Sequence, residues 1–515
     1  MLKRLIKFWP ILSILAFSVI LRVIRLEDLF YFTYDESVFA FVGRRFWLWQ
    51  HIPLIGGVSP FGFHVAPYFY WFFGLTLGLG NLNPLVWGYI TAVIGSATTL
   101  LMYLLGKQID SRKLGFIAAV FWAFSYIANL YDRHFWGLTF GPFFSLAIIY
   151  CLYKVIKGRE KFTYVLGILL ALIIHADLSY YMFLLFAVVS WIVFKIPVKK
   201  STFIALGIIL FSFLPLAVFD IRHDFANSRP LLEFLKSGKN NPSFSSQKAI
   251  DNVLLFPKSF SRFAYTFGDG EVSKQYSYCK VYVQEKLQNV PWYLTFIASI
   301  ILAAFVYWSF KKTKNAGYKL VSLLFVLYFL GIQLYGTILG ADIFEHYLSG
   351  IFTVFILILA KIVSLFPKKI TILILGLFVA ANLYKFSLAK NDMGFKVKRQ
   401  AIKYTMQQVG DREFSLDSLS TCWKWNGYRY LFAVFGREPV KSYVDPNFAY
   451  LYGTTPVAEK HPQTVVAFVV HDFAPETDSF YKRYALLKSR EQKSNIFGAL
   501  EVIIMDNSSS WFDSP

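Results

Sequence analysis

Long apolar runs separated by short basic connectors dominate the first three-quarters of the chain. A membrane-spanning helix needs roughly 17 to 25 mostly apolar residues, and this length predicts eleven such helices. They are predicted at 8–26, 84–106, 114–131, 137–154, 162–176, 178–195, 202–219, 291–310, 319–339, 347–365 and 369–387. The pattern therefore predicts an all-α polytopic membrane protein.

The short connectors that carry Lys and Arg all fall on one predicted side of the membrane. Basic loops are retained in the cytoplasm, so we expect a multi-pass cell-membrane protein with a cytoplasmic N-terminus. The connectors are 107–113, 154–161, 195–200, 311–319 and 368–369. The opposite, outer side then receives loop 27–83 (the first loop), loop 220–290 (the second loop) and the C-terminal segment.

The outer segments have their own patterns. Residues 37–50 and 66–80 are rich in aromatic side chains, which predicts interfacial helices in the first loop. Short apolar runs at 465–470 and 500–505 predict strands, and 401–409 predicts a helix. We therefore expect a transmembrane domain over 1–390 and a small extracytoplasmic α/β domain over 391–515.

Composition supports lipid as the main surroundings. The chain is 56% hydrophobic and 16% charged, with a net charge of +21. The basic residues lie between apolar runs and do not form one continuous face, so the expected partners are membrane lipids and not nucleic acid. Cys151, Cys279 and Cys422 form no metal-type cluster, and pairing of Cys279 with Cys422 stays open.

Two adjacent carboxylates, Asp35 and Glu36, lie shortly after the first predicted span. Such acids can serve as a general base that deprotonates an acceptor hydroxyl or amide, or as metal ligands. The alternative interpretation is that they begin a helix, where a negative charge stabilises the N-terminal end.

A second polar group, Asp132, Arg133 and His134, follows the third predicted span. The paired N–H donors of Arg133 suit a phosphate, and Asp132 is either a second acid or the salt-bridge partner of Arg133. These residues also suit an interfacial cluster whose long side chains reach the headgroups.

The other polar candidates share one feature, a position at the predicted outer end of a helix. They are His175, Asp177, Asp220, Arg222, His346 and Tyr347. A site for a sugar on a lipid phosphate needs this arrangement, with cations on the phosphate and carboxylates at the reacting centre. A transporter would instead concentrate ionisable groups near the membrane midplane.

These motifs resemble those of the C-type integral membrane glycosyltransferases, in particular the family 39 group of protein mannosyltransferase-like and aminoarabinose transferase-like enzymes. The resemblance covers about 8–390. Its most specific part is the acidic motif at 35–40, followed by the Pro-aromatic segment 67–71. Looser matches are Arg133 with Trp136, the stretch 220–223, and His346 with Tyr347.

The resemblance implies that Asp35 is the principal catalytic carboxylate, with inversion at the anomeric carbon. The donor would be a polyprenyl-phosphate sugar, a mannose-like hexose or similar, and the acceptor a protein, a lipid or a glycopolymer. Further catalytic candidates are Glu36 and Asp132. Candidates for binding the donor phosphate or substrate are Arg133, His134, His175, Asp220, Arg222, His346 and Tyr347. A divalent metal at Asp35 and Glu36 is left open, and no other cofactor is expected.

Two other functions fit parts of the pattern. A polysaccharide or lipid transporter would share the many spans but needs a polar path at the midplane. A glycopolymer polymerase or ligase is closer in chemistry and needs large outer loops rich in Arg and His, which the second loop partly provides.

Overall fold

The computed structural model describes residues 2–59, 61–237, 245–266, 290–419, 427–453, 457–459, 462–471 and 478–506. Every segment predicted to span the membrane is helical. Within the described residues, 7 helices are long and apolar enough to cross a membrane. These are Leu85–Ile109, Gly137–Ile156, Lys200–Arg222, Trp292–Lys311, Ala316–Ile338, Glu345–Ser364 and Lys368–Leu388. The protein is thus a predominantly helical membrane protein with a small C-terminal sheet domain, as predicted.

The α-helices are numbered in chain order. They are α1 Leu2–Val23, α2 Leu26–Leu29, α3 Tyr34–Trp47, α4 Tyr68–Leu79, α5 Leu85–Ile109, α6 Arg112–Phe124, α7 Tyr126–Tyr131, α8 Gly141–Ile156, α9 Lys161–Ile173, α10 Tyr181–Val193, α11 Lys200–Phe211, α12 Leu214–Arg222, α13 Ser228–Ser237, α14 Ser246–Ala264, α15 Trp292–Lys311, α16 Ala316–Ile332, α17 Ser349–Ser364, α18 Lys368–Leu388, α19 Phe395–Val409, α20 Tyr428–Phe435, α21 Asp445–Phe448 and α22 Asp478–Ser489.

Two predicted spans are interrupted. The span predicted at 114–131 divides at Ser125, whose hydroxyl accepts from the Ala128 amide at 3.3 Å and begins a new helix. The freed Tyr126 amide donates to Asn382 Oδ1 on α18 at 2.8 Å. The span predicted at 202–219 divides before Pro215, which has no N–H to continue the helical ladder.

Both interfacial segments predicted in the first loop are helices. They correspond to α3 and α4, which pack closely against each other at two glycines. A Cβ atom on Gly43 would lie 3.1 Å from the Gly74 Cα, so these positions need glycine for the close approach. This packing fixes α3, which carries Asp35 and Glu36.

The second loop contains a helix that the sequence pattern did not predict. Helix α14 buries a row of phenylalanines against the helical bundle. Phe260 packs edge-on against Phe355 at 5.8 Å between ring centroids, and Phe263 lies 4.9 Å from Phe352. Residues 238–244 and 267–289 of this loop lie outside the described residues.

The C-terminal segment forms a five-stranded sheet in the order β2-β1-β3-β5-β4. The strands are β1 Phe414–Leu419, β2 Lys441–Ser442, β3 Thr464–Val470, β4 Glu491–Phe497 and β5 Leu500–Asp506. The first three are parallel, whereas β5 runs antiparallel to β3 and β4. Both predicted strands and the predicted helix, within α19, are confirmed. The domain boundary at 390/391 stays a prediction.

Cys151 is a buried free thiol on α8. Cys279 and Cys422 lie outside the described residues, so their pairing stays open.

Candidate active site

The first turn of α3 gives its two carboxylates different surroundings. Glu36 is 1% exposed, and its Oε2 accepts from the Thr33 amide at 2.9 Å and from the Thr33 hydroxyl at 2.6 Å. Its Oε1 lies 3.2 Å from His134 Nδ1. Glu36 therefore closes a capping box at the start of α3, so the helix-start interpretation applies to this residue.

The side chain of Asp35, unlike that of Glu36, is exposed. Protein groups around Asp35 still remove part of its hydration, which raises the pKa of Asp35 to about 6. Negative charge on Glu36 also raises it, and His346 and His134 lower it. A carboxylate whose pKa is near neutrality suits a general base.

The pKa of Glu36 moves in the opposite direction. Burial raises it, but the hydrogen bonds and charge of His134, together with the hydrogen bonds from Thr33, outweigh burial and lower the pKa below its usual range. Two neighbouring carboxyls with diverging pKa values are a common arrangement where one is functional and the other supports it.

An aromatic stack joins these acids to distant parts of the chain. His134 lies between Tyr31 and Trp136, with ring centroids at 4.0 Å and 4.9 Å. Trp136 in turn contacts the His346 ring at 4.9 Å. The fold thus brings two histidines predicted as site residues together with the acidic pair of the first loop.

Asp177, one of the polar candidates at the predicted outer ends of helices, completes the acidic side of this cluster. Its Oδ1 accepts from the Ser179 amide at 2.8 Å. Burial raises the pKa of Asp177, and its negative charge in turn raises that of Asp35. Asp177 also lines the main cavity, which links that cavity to Asp35.

The cavity has a volume of about 800 Å³. Its walls are mostly apolar and come from the first loop, α10, α12, α13 and α16. Lining residues include Phe61, Phe63, Met182, Phe213, Leu216, Leu231, Leu334 and Tyr347. Its lining, within the described part of the chain, contains two carboxylates, Asp177 and Asp220, and no Lys or Arg.

Asp132 has a structural partner that differs from the predicted one. Its Oδ2 accepts from Arg22 Nε on α1 at 2.6 Å, and both side chains are buried. The predicted pairing of Asp132 with Arg133 is therefore wrong. Asp132 balances the charge of a buried arginine, so these contacts do not support a role as a second acid.

Arg133 also packs inward. Its Nη1 donates to the Asn129 carbonyl at 2.7 Å and its Nη2 to the Leu21 carbonyl at 2.8 Å. The guanidinium lies 4.9 Å from the centre of the Phe386 ring. The side chain thus connects the end of α1 to α7, and its predicted contact with the donor phosphate stays a prediction.

His175 is a structural residue as well. Its Nδ1 accepts from the Ala66 amide at 3.3 Å, so Nε2 carries the proton and donates to Ser212 Oγ at 2.9 Å. The ring is 1% exposed. His175 thus fixes the first loop to the break between α11 and α12, and the predicted substrate-binding role has no support in these contacts.

The remaining candidates divide into a helix cap, an exposed side chain and two ring groups near the cluster. Asp220 accepts from the Asn227 amide at 2.8 Å and from Ser228, which begins α13. Arg222 is exposed. Tyr347 lines the cavity and contacts His346 at 4.6 Å between centroids.

A divalent metal at Asp35 and Glu36 stays an open prediction. Both Glu36 oxygens already contact Thr33 or His134. Across the described residues, no three His, Cys, Asp or Glu side chains converge to hold an ion.

Several solved structures are similar to this chain along most of its length. ArnT from Cupriavidus metallidurans in the apo state matches with a TM-score of 0.43 and 11% identity, over 97% of this chain and 98% of that chain. The oligosaccharyltransferase AglB from Archaeoglobus fulgidus, in complex with an inhibitory peptide and a dolichol-phosphate, matches with a TM-score of 0.46 and 14% identity, over 99% and 75%.

The arabinofuranosyltransferase AftD from Mycobacteria matches with a TM-score of 0.40 and 12% identity, over 97% of this chain and 41% of that chain. These neighbours are C-type glycosyltransferases, as the sequence resemblance predicted. No protein-family model and no curated protein matches the sequence. These three TM-scores are below 0.5, so the likenesses do not indicate the chemistry of this chain.

Proposed function

We propose that the protein is a membrane glycosyltransferase that moves a sugar from a polyprenyl-phosphate donor to an acceptor at the outer face of the membrane. One observation carries this proposal. An accessible carboxylate with a pKa of about 6, Asp35, lies beside two imidazoles and is linked through Asp177 to an apolar cavity of about 800 Å³.

Asp35 is the proposed base. In its ionised form it accepts the proton of an acceptor hydroxyl or amide while the acceptor atom attacks the anomeric carbon. The bond between that carbon and the phosphate oxygen breaks, and its electron pair leaves with the polyprenyl phosphate. Attack opposite the leaving group inverts the configuration.

The two imidazoles face the same reaction. Positive charge on His346 or His134 lowers the pKa of Asp35 and so favours its ionised form. The same potential stabilises negative charge that develops on a departing phosphate. Neither histidine is a proton donor in this scheme.

The cavity is the proposed site for the isoprenoid chain. Its lining is mostly apolar and lacks Lys and Arg among the described residues, so it suits a hydrocarbon chain and not the phosphate. The phosphate then lies outside the cavity, on the side of the imidazoles.

The proposal is tested with wild-type protein in lipid vesicles that contain radiolabelled polyprenyl-phosphate mannose, followed by other lipid-linked sugars. Label that leaves the lipid and joins a second molecule supports the transferase. Label that crosses the membrane still attached to its lipid would support a transporter and contradict the proposal. A ladder of products would indicate a polymerase.

A further inference from the structure

One contact between the C-terminal domain and the start of α3 is made by a buried lysine side chain. Lys398 on α19 is 0% exposed, and its Nζ donates to the carbonyl of Phe32. The Nζ also lies 5.5 Å from the centre of the Tyr428 ring. Phe32 directly precedes Thr33, the residue that caps α3, so this hydrogen bond acts on the backbone that leads into Asp35.

Neighbouring contacts hold the same segment of the chain, residues 28–32. The Phe395 amide donates to the Phe30 carbonyl at 3.1 Å, and the Phe395 ring packs against those of Phe30 and Phe32. Lys396, two residues before Lys398, forms an ion pair with Asp28 at 2.8 Å, but its side chain is 46% exposed. Exposed pairs of this kind contribute little to stability.

A buried lysine is costly unless its charge is balanced. Burial lowers the pKa of Lys398 to about 7, and the negative charge of Glu36 raises it. Glu36 is the residue whose carboxylate closes the α3 cap and contacts His134. Lys398 therefore shares an electrostatic environment with the group that orients the catalytic turn.

A third contact shows how closely this domain approaches α3. Gly427, which precedes α20, has φ +70°, and a Cβ atom there would lie 2.7 Å from the Ser37 Cβ and 3.0 Å from the Thr33 carbonyl oxygen. The C-terminal domain thus packs directly on the turn that holds Asp35.

We propose that Lys398 is a positioning residue for Asp35. The C-terminal domain then contributes to the active site through this residue. This inference rests on the proposed transferase function. The hydrogen bond to Phe32 fixes where the backbone enters α3, and a small displacement of a reacting group has a large effect on rate.

The test compares Lys398→Met with Lys396→Met, a matched change on the same helix that removes an exposed lysine. Methionine keeps length and apolar bulk but removes the donor and the charge. We expect Lys398→Met to lower kcat for sugar transfer about 10- to 100-fold with an unchanged donor KM. Lys396→Met should keep wild-type kcat.

Hydrogen exchange of residues 33–40 provides a second readout that does not depend on activity. These amides should exchange faster in Lys398→Met than in Lys396→Met. Lys398→Gln keeps an N–H donor without the charge, so it should retain more of the protection. Lys398→Gln also replaces Lys398→Met in both measurements if the methionine variant does not accumulate in the membrane.

The outcomes separate the two proposals. If wild type transfers sugar and Lys398→Met keeps both kcat and the exchange pattern, the positioning inference is wrong and the transferase stands. If wild type transfers no sugar, the transferase proposal fails, and the exchange comparison alone decides whether Lys398 orders α3.

Discussion

His134 Nδ1 lies 3.2 Å from Glu36 Oε1, and this contact separates the functions of two adjacent carboxylates. Glu36 is committed to His134 and to the Thr33 cap, whereas Asp35 faces the accessible side of the same turn. One residue supports the local fold, and its neighbour is available for chemistry. This difference makes the pair testable by substitution.

The first prediction concerns Glu36→Gln. The amide keeps the volume of the side chain but removes the charge that accepts from Thr33 and faces His134. We expect the free energy of unfolding to fall by about 1 to 3 kcal/mol, since a buried hydrogen-bonded group loses its partner charge. Thermal unfolding in detergent measures the change. An unchanged midpoint would show that the negative charge of Glu36 does not stabilise the fold, because the glutamine amide oxygen can still accept from Thr33.

The second prediction concerns pH. Asp35 must be ionised to act as a base, so transfer should rise as the pH increases through about 6, the value to which its pKa is raised. The folded protein binds this proton more tightly than the unfolded chain, so the contribution of Asp35 to stability decreases as the pH rises from about 4 to 6. Initial rates and unfolding midpoints across this range measure both effects. Activity that is flat through pH 6 would refute the assignment.

The third prediction concerns the buried pair of Arg22 and Asp132. Replacing Asp132 with Ala leaves an uncompensated buried arginine, which should cost about 3 to 5 kcal/mol of stability. Gly95→Ala should also destabilise, because its Cβ would meet both side chains of the pair.

The matching control for the ion pair is the double variant Arg22→Met with Asp132→Leu. Removing both charges avoids the unpaired group, so its stability should be much closer to wild type. If Asp132→Ala is as stable as wild type, the pair has no structural function.

The fourth prediction concerns the cavity. Ala217 on α12 lines it, and Trp at this position should fill part of the space and raise the KM for the polyprenyl donor while kcat stays similar. Leu214→Trp on the same helix is the control, because Leu214 is exposed and outside the cavity lining. Equal donor KM values in the two variants would exclude this cavity as the isoprenoid site.

Much of the fold follows from the sequence pattern. Apolar runs of sufficient length determine the helices, and the aromatic segments of the first loop are indeed α3 and α4. Helix α14 was missed because its phenylalanines alternate with Lys, Arg and Ser and do not form a long apolar run. Its burial depends on partners on α16 and α17, which local periodicity does not show.

The candidate site was only partly predictable. Asp35, His134 and His346 meet in the structure, as their shared position at helix ends suggested. Arg133 and His175 looked equally suitable, but their partners, Leu21 and Ser212, lie on other helices. The sequence does not indicate that Lys398 is buried, because a lysine on an amphipathic helix ordinarily faces water. These assignments need long-range contacts, which a single sequence does not contain.

The most direct test of Asp35 as the catalytic carboxylate compares sugar transfer by wild type, Asp35→Asn and Glu36→Gln at pH 7.5. Each reaction contains the same amount of folded protein in the membrane. Asparagine removes the base but keeps the shape of the side chain. We expect Asp35→Asn to lose transfer without loss of thermal stability, and Glu36→Gln to lose stability but keep part of its activity. Transfer at the wild-type rate by Asp35→Asn would show that Asp35 is not the catalytic carboxylate.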